Sequence, residues 1–211
     1  MQTFDIVKES KIKKTFRVAK IMSDFDVDEK HAIEHFKGEL KIPEQWNIGV
    51  IVGGSGTGKT TIAKELFGNE IVSEYEYTAA SVIDDMPENV SVDDISKMFY
   101  AVGFGSVPSW LKPYAVLSNG EKMRVDLARA MLEKDFIVFD EFTSVVDRQV
   151  AQTASIAINK AIKRTGKKFV AVSCHYDILE WLQPDWVFDT NEMKYFLGTP
   201  TTSKTLSNQK V

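Results

Sequence analysis

Residues 48–67 read IGVIVGGSGTGKTTIAKELF, and no other stretch of the chain restricts the fold as much. A five-residue apolar run, Ile48 to Val52, gives way to Gly53-Gly54-Ser55-Gly56-Thr57-Gly58-Lys59-Thr60, and an amphipathic pattern follows from Lys59 to Leu66. The motif is G-x-x-x-x-G-K-T in its strand–loop–helix setting. Its glycines let successive backbone N–H groups point inward as an anion nest, and the helix start adds partial positive charge. Lys59 is placed to bridge the β- and γ-phosphates of a nucleoside triphosphate, and Thr60 to offer its hydroxyl to Mg²⁺. Gly53, Gly54, Ser55, Gly56, Thr57, Gly58, Lys59, Thr60 and Thr61 are therefore the candidate nucleotide-binding run.

A strand that enters such a loop has to lie inside a sheet covered on both faces. The remaining strand candidates fit: Phe136 to Phe139, Phe169 to Ser173 and Trp186 to Phe188 are short apolar runs, mostly without polar alternation. Helical patterns fall between them, at Glu121 to Leu132 and about Arg148 to Arg164. That order predicts an α/β fold with a mainly parallel sheet flanked by helices. Upstream, TFRVAKIMSDFDV and HFKGELKIP read as strands of an antiparallel N-terminal β subdomain. Residues 1–190 form the expected domain, with a small helical subdomain at about 86–130. The polar end, 191–211, reads as a loose tail.

An apolar content of 44% supports a core, and a net charge of −4 gives no global reason to expect nucleic-acid binding. The single cysteine, Cys174, excludes an internal disulfide framework and suits a reducing compartment. Cys174 itself reads as buried packing. The first residues lack a signal-peptide core, and no apolar run nears the roughly 20 residues of a membrane span. The expectation is a cytoplasmic protein.

FIVFDEF, residues 136–142, closes an apolar run with two carboxylates. Beside a phosphate loop, Asp140 is placed to complete the Mg²⁺ shell through water. Glu141 is then placed to polarise an attacking water as general base.

Upstream of that strand, LSNGE at residues 117–121 opens a helix. With FIVFDE after it, the segment resembles the signature and Walker B arrangement of ABC-type ATPases. The chain matches the family's Leu-Ser-Gly-Gly-Gln/Glu at Leu117, Ser118, Gly120 and Glu121 and departs at Asn119. The resemblance implies that Ser118, Asn119, Gly120 and Glu121 cap the γ-phosphate held by a second subunit, since a helix start with free N–H donors is an anion site. Met123, Leu127, Ala130 and Met131 form the apolar stripe behind that turn. SVVD, residues 144–147, resembles the family's D-loop and implies that Asp147 reaches across a dimer. VAVSCHYD ends a strand at His175, in the place of the family's switch histidine. The resemblance spans roughly residues 46–190.

The pattern thins in three places. The family's Q-loop glutamine is absent, and Asp85 in SVIDDMPEN is the nearest equivalent, a candidate Mg²⁺ neighbour or a solvated acidic loop. Phe25, or Phe16, has the spacing of the aromatic residue that stacks on adenine; either could equally be core. His31 and His35 are four apart with no further ligand, which favours exposed histidines over a metal site. The basic clusters Lys8, Lys11, Lys13, Lys14, Arg17, Lys20 and Lys160, Lys163, Arg164, Lys167, Lys168 read chiefly as solvated faces.

The expected activity is ATP hydrolysis with ATP and Mg²⁺, by a homodimer closing on two nucleotides. Glu141, His175 and Lys59 are the candidate catalytic residues, and Thr60, Asp140 and Asp85 the candidate metal neighbours. A protein or nucleic-acid partner would receive the closure. The alternatives are a subunit serving a membrane transporter on another chain, and a nucleotide-gated binding module with little hydrolysis. FDIVKESKIKKTFRVAKIMSDFDV leading into WNIGVIVGGSGTGKTTIAKELFG also resembles the ABC-type module found fused to a predicted acetyltransferase.

Overall fold

A computed structural model describes residues 2–9, 15–26, 33–72 and 74–200. Its centre is a five-stranded sheet in the order β4-β5-β3-β6-β7. Strands β3 (Ile48–Val52), β4 (Phe136–Phe139), β5 (Lys168–Ser173) and β6 (Trp186–Asp189) run parallel. Every residue of β3 is buried, as a strand covered on both faces must be. The start of β3 is pinned by Asp185, whose Oδ2 accepts from the amides of Asn47 (2.7 Å) and Ile48 (2.9 Å).

One face of this sheet packs on α5 (Asn119–Glu133), α6 (Arg148–Thr165) and α3 (Val92–Ala101), and Val125, Leu127, Ala128, Ile158 and Phe99 are fully enclosed there. The α5 stripe is built as read: Met123, Leu127, Ala130 and Met131 are all buried. The other face packs on α2 (Lys59–Phe67) and on a two-stranded antiparallel sheet of β1 (Gln2–Glu9) and β2 (Ile33–Leu40). Phe4 meets Phe188 edge-on at 5.5 Å, which fastens the small sheet to the large one. Gly49 sits against Trp186 so closely that a β-carbon would lie 2.1 Å from the indole.

Two expectations change. TFRVAKIMSDF forms α1 (Phe16–Asp24) rather than a strand. Thr15 caps it by accepting from the Val18 amide, and Val18, Ile21, Met22 and Phe25 recur at helical spacing, a period that outweighs the β-branched content. The loose tail contains β7 (Lys194–Leu197), antiparallel to β6 on the edge of the sheet. KYFL is short and half-exposed, so its alternation is too brief to stand out from a polar context. Residues 201–211 lie outside the described residues. Helices α3, α4 (Val107–Trp110) and α5 occupy the stretch read as helical, and α7 (Ile178–Leu182) follows β5.

Candidate functional site

The phosphate loop leaves β3 at Gly53 and enters α2 at Lys59. Gly58 has φ +84°, and a β-carbon there would meet the Phe36 ring at 2.4 Å, so neither the backbone nor the space admits a side chain. Gly53 touches Thr190 at a distance that leaves no room for a β-carbon either. Thr57 Oγ1 is 2.8 Å from the Gly54 carbonyl and 2.5 Å from Thr190 Oγ1. Lys59 is buried, and its Nζ donates to the Gly54 carbonyl at 2.6 Å. Its ammonium is thus held inside the loop by a backbone dipole. Ser55 and Gly56 form the exposed turn of the loop, and Thr61 is half-buried on the first turn of α2.

Parallel pairing of β3 with β5, and of β5 with β4, brings the end of β4 level with the loop. Thr60 Oγ1 donates to Asp140 Oδ1 at 3.2 Å, and that oxygen also accepts from the Glu141 amide at 2.9 Å. Glu141 is exposed at φ +52°, and the buried Thr143 lies at φ +66°. Such left-handed backbone costs of order 1 kcal/mol per residue and re-aims the chain within three positions. Thr143 Oγ1 stands 3.5 Å from His175 Nδ1 at the end of β5. Burial, reinforced by the Arg148 charge, holds the His175 imidazole below its usual range, against the pull of Asp177 and Glu141. Arg148 forms a two-pronged ion pair with Asp177 and lies over the Trp181 ring.

Two hard oxygen donors, a hydroxyl and a carboxylate, therefore meet at the mouth of the loop. That donor set suits Mg²⁺, which keeps several waters and takes the rest of its shell from phosphates. Thr60 and Asp140 fit such an ion. Asp85 is engaged elsewhere: its Oδ1 accepts from the amides of Thr78 and Ala79, both at 3.0 Å. Two acids do share a space with Asp140: Asp126, whose oxygens accept from the Tyr77 and Tyr114 hydroxyls, and Glu74. A cavity of about 440 Å³ is lined by Val72, Glu74, Tyr75, Tyr114, Asp126, Phe139 and Asp140. Glu74 is placed there because Ile71 bridges to Val138 of β4 and the chain runs on past the strand end. The only sequence signal was two apolar residues, too short to read as a strand.

Ser118 caps α5 and completes a capping box with Glu121: its hydroxyl accepts from the Glu121 amide, and Glu121 Oε2 accepts from the Ser118 amide at 2.9 Å. Glu121 also accepts from Ser109 at 2.7 Å. These bonds, led by the Ser118 amide, hold its carboxyl below the usual range. Asn119 is exposed, and Gly120 packs against Val150, where a β-carbon would be 2.9 Å from the valine. Asp147 caps α6 by accepting from the Val150 amide, so the signature turn and the D-loop adjoin on one face.

The other candidates are more scattered. Phe25 and Phe16 end and begin α1, both largely exposed. His35 lies on β2, not on a helix, and contacts Asp5 at 2.5 Å; His31 falls outside the described residues. Lys11, Lys13 and Lys14 also fall outside, and Arg17 and Lys20 are exposed. Lys167 pairs with Asp135 and Lys168 lies over Trp46. Cys174 is half-buried rather than enclosed. Among the described residues, no helix is long and apolar enough to cross a membrane.

Comparison with known proteins agrees with this fold. The post-hydrolysis dimeric structure of the ATP-binding cassette MJ0796, bound to ADP and Pi, superposes with a TM-score of 0.62 over 89% of this chain and 92% of its own, at 14% identity. CbiO1 from Clostridium perfringens, part of the ABC transporter complex cbiONQ, does so with a TM-score of 0.57 over 79% and 80%, at 18% identity. This chain has the fold of an ABC-type ATPase nucleotide-binding domain. In sequence, the energy-coupling factor transporter ATP-binding protein EcfA1 of Staphylococcus aureus is 28% identical, over 77% of this chain and 74% of that protein. No protein-family model matches the chain. The phosphate loop, the β4 carboxylates and His175 follow the C-terminal ends of the three neighbouring parallel strands β3, β4 and β5.

Proposed function

We propose that this chain hydrolyses ATP as one half of a nucleotide-sandwiched homodimer. The observation that carries the reading is the meeting of Thr60 with Asp140, which joins the phosphate loop to the carboxylate strand at one point. Within the run Gly53 to Thr61, Gly54 gives its amide to Asn191 while its neighbours bind the phosphates through backbone amides, and Lys59 leaves the Gly54 carbonyl to meet them. A bound Mg²⁺ would supply charge neutralisation and orientation of the phosphates, held by Thr60 directly and by Asp140 through water. Glu141, aimed by its left-handed backbone, accepts the proton of the attacking water. His175 stays neutral at pH 7, kept so by burial and Arg148, and presents a ring nitrogen rather than a second cation to the γ-phosphate.

The second copy supplies the other wall. Asn119 and Gly120 offer their backbone amides at the α5 start, with the Ser118 hydroxyl beside them, while Glu121 holds the turn by accepting from the Ser118 amide. Asp147 borders the same face. Phe25 is the candidate adenine platform. Of the acids, Asp85 as a metal neighbour competes with Glu74, and Glu74 is the better placed of the two, because it shares the cavity with Asp140.

The protein acts in the cytoplasm, and closure of the dimer is passed to a protein or nucleic-acid partner. Similarity to the staphylococcal energy-coupling factor transporter ATP-binding proteins favours a second reading of that partner, a membrane transporter on another chain. Phosphate release with Mg²⁺ and ATP, compared with Lys59→Ala, tests the activity. Turnover that survives the substitution contradicts it. Retention on detergent-solubilised membrane protein separates the two partner readings.

A further inference from the structure

Asn191 joins the two ends of the site within one protomer. It follows β6 on an exposed turn, and its side chain faces both ways: Oδ1 accepts from the Gly54 amide at 2.9 Å, and Nδ2 donates to the Tyr176 hydroxyl at 2.9 Å. Tyr176, the residue after His175, in turn donates to Asp189 Oδ2 at 2.9 Å. Asp189 Oδ1 accepts from the Asn191 amide at 2.8 Å, which closes the ring. Burial and Asp189 push the Tyr176 hydroxyl far above its usual range, so it remains a donor. Beside it, Thr190 fixes the root of the loop: its amide donates to the Val52 carbonyl at 2.8 Å, and its hydroxyl stands 2.5 Å from that of Thr57.

These bonds settle the orientation of the two peptides that flank the Gly54 α-carbon. The Gly54 N–H, in the Gly53–Gly54 peptide, points to Asn191, and the Gly54 carbonyl, in the Gly54–Ser55 peptide, points to Lys59 and Thr57. When Lys59 turns to phosphate, Gly54 loses one partner on its carbonyl side, while its amide stays tied to the segment carrying His175. We propose that Asn191 and Tyr176 are positioning residues that transmit occupancy of the phosphate loop to His175 within a single chain. The inference rests on the nucleotide-binding reading of the loop. It concerns a path inside the protomer, separate from any contact made by a second copy.

Histidine-selective ¹³C NMR tests it, because the chain has three histidines and one of them is His175. ADP with Mg²⁺ is the probe: it lacks the γ-phosphate that would touch His175 directly. Wild type, Asn191→Ala, Tyr176→Phe and the double variant are each saturated, with binding verified by calorimetry. Tyr176→Phe removes one oxygen and keeps the ring, so it guards against a fold defect in the other variant. The His175 resonance should move in wild type and move less by about twofold or more in either single variant, with no further loss in the double. A full shift in both single variants, or losses that simply add, would overturn the relay while leaving nucleotide binding intact. Absence of any binding heat in wild type would overturn the nucleotide reading itself, and the relay with it.

Discussion

Thr60 and Asp140, 80 residues apart in sequence, meet through a 3.2 Å hydrogen bond at the mouth of the phosphate loop. The contact exists because β3 and β4 flank β5 in parallel, with Val52 opposite Ser173 and Phe139 opposite Ala171, so that both chains leave the sheet on the same side. Open α/β sheets place ligands at such strand ends.

Because Thr60 and Asp140 share the proposed Mg²⁺ shell, Asp140→Asn should raise the Mg²⁺ concentration for half-maximal hydrolysis by about tenfold or more. Thr60→Ala should act in the same direction. Titration of phosphate release against Mg²⁺ at fixed ATP measures both, and an unchanged midpoint contradicts the assignment.

Glu74 and Asp85 make opposite predictions. Glu74 lines the cavity with Asp140, so Glu74→Ala should alter the Mg²⁺ dependence while leaving thermal stability nearly unchanged. Asp85 holds the Thr78 and Ala79 amides, so Asp85→Ala should cost about 2 kcal/mol of stability and leave the Mg²⁺ midpoint alone. Denaturant unfolding with parallel Mg²⁺ titration tells the two apart.

Ser118 has two proposed jobs that separate by experiment. Ser118→Ala removes the α5 cap and should cost about 1 kcal/mol in the isolated protomer. Ser118→Asp retains capping but sets a negative charge where phosphate is expected. Its carboxylate faces that of Glu121, which the serine hydroxyl contacts at 3.0 Å, so it should cost stability of the same order as Ser118→Ala and in addition lose ATP-dependent dimerisation. Dimerisation that survives Ser118→Asp contradicts the cross-subunit role.

The His175 imidazole is depressed below its ordinary 6.5 by burial and then by Arg148. The unfolded chain therefore takes up a proton at higher pH than the native one, so stability falls as pH drops through about 6.5. In His175→Gln this part of the pH dependence should disappear, while stability above pH 7.5 is unaffected by the proton. Unfolding curves between pH 5.5 and 8 read the difference.

Much of this arrangement was legible in the sequence, for physical reasons. Gly53 to Thr60 announce themselves because a phosphate nest needs several glycines at fixed spacing, and buried parallel strands such as Ile48–Val52 have no polar residues to blur their limits. The failures share a cause as well. In TFRVAKIMSDF, β-branched residues suggested a strand, but Thr15 capping and the Val18–Met22–Phe25 spacing decided for α1. Glu74 and Asn191 act through position alone. Glu74 follows a single bridged residue, Ile71, and Asn191 sits in a polar turn like many others, so only tertiary pairing marks them.

The central claim, a composite site shared by two copies, is tested most directly by the specific ATPase rate as a function of protein concentration. Wild type and Glu141→Gln should be run together with Mg²⁺ and saturating ATP. The account predicts a per-chain rate that climbs with concentration in wild type and falls by about 10² or more in Glu141→Gln, which should collect as an ATP-bound dimer. A rate per chain that is independent of concentration, or equal in the two proteins, would contradict it.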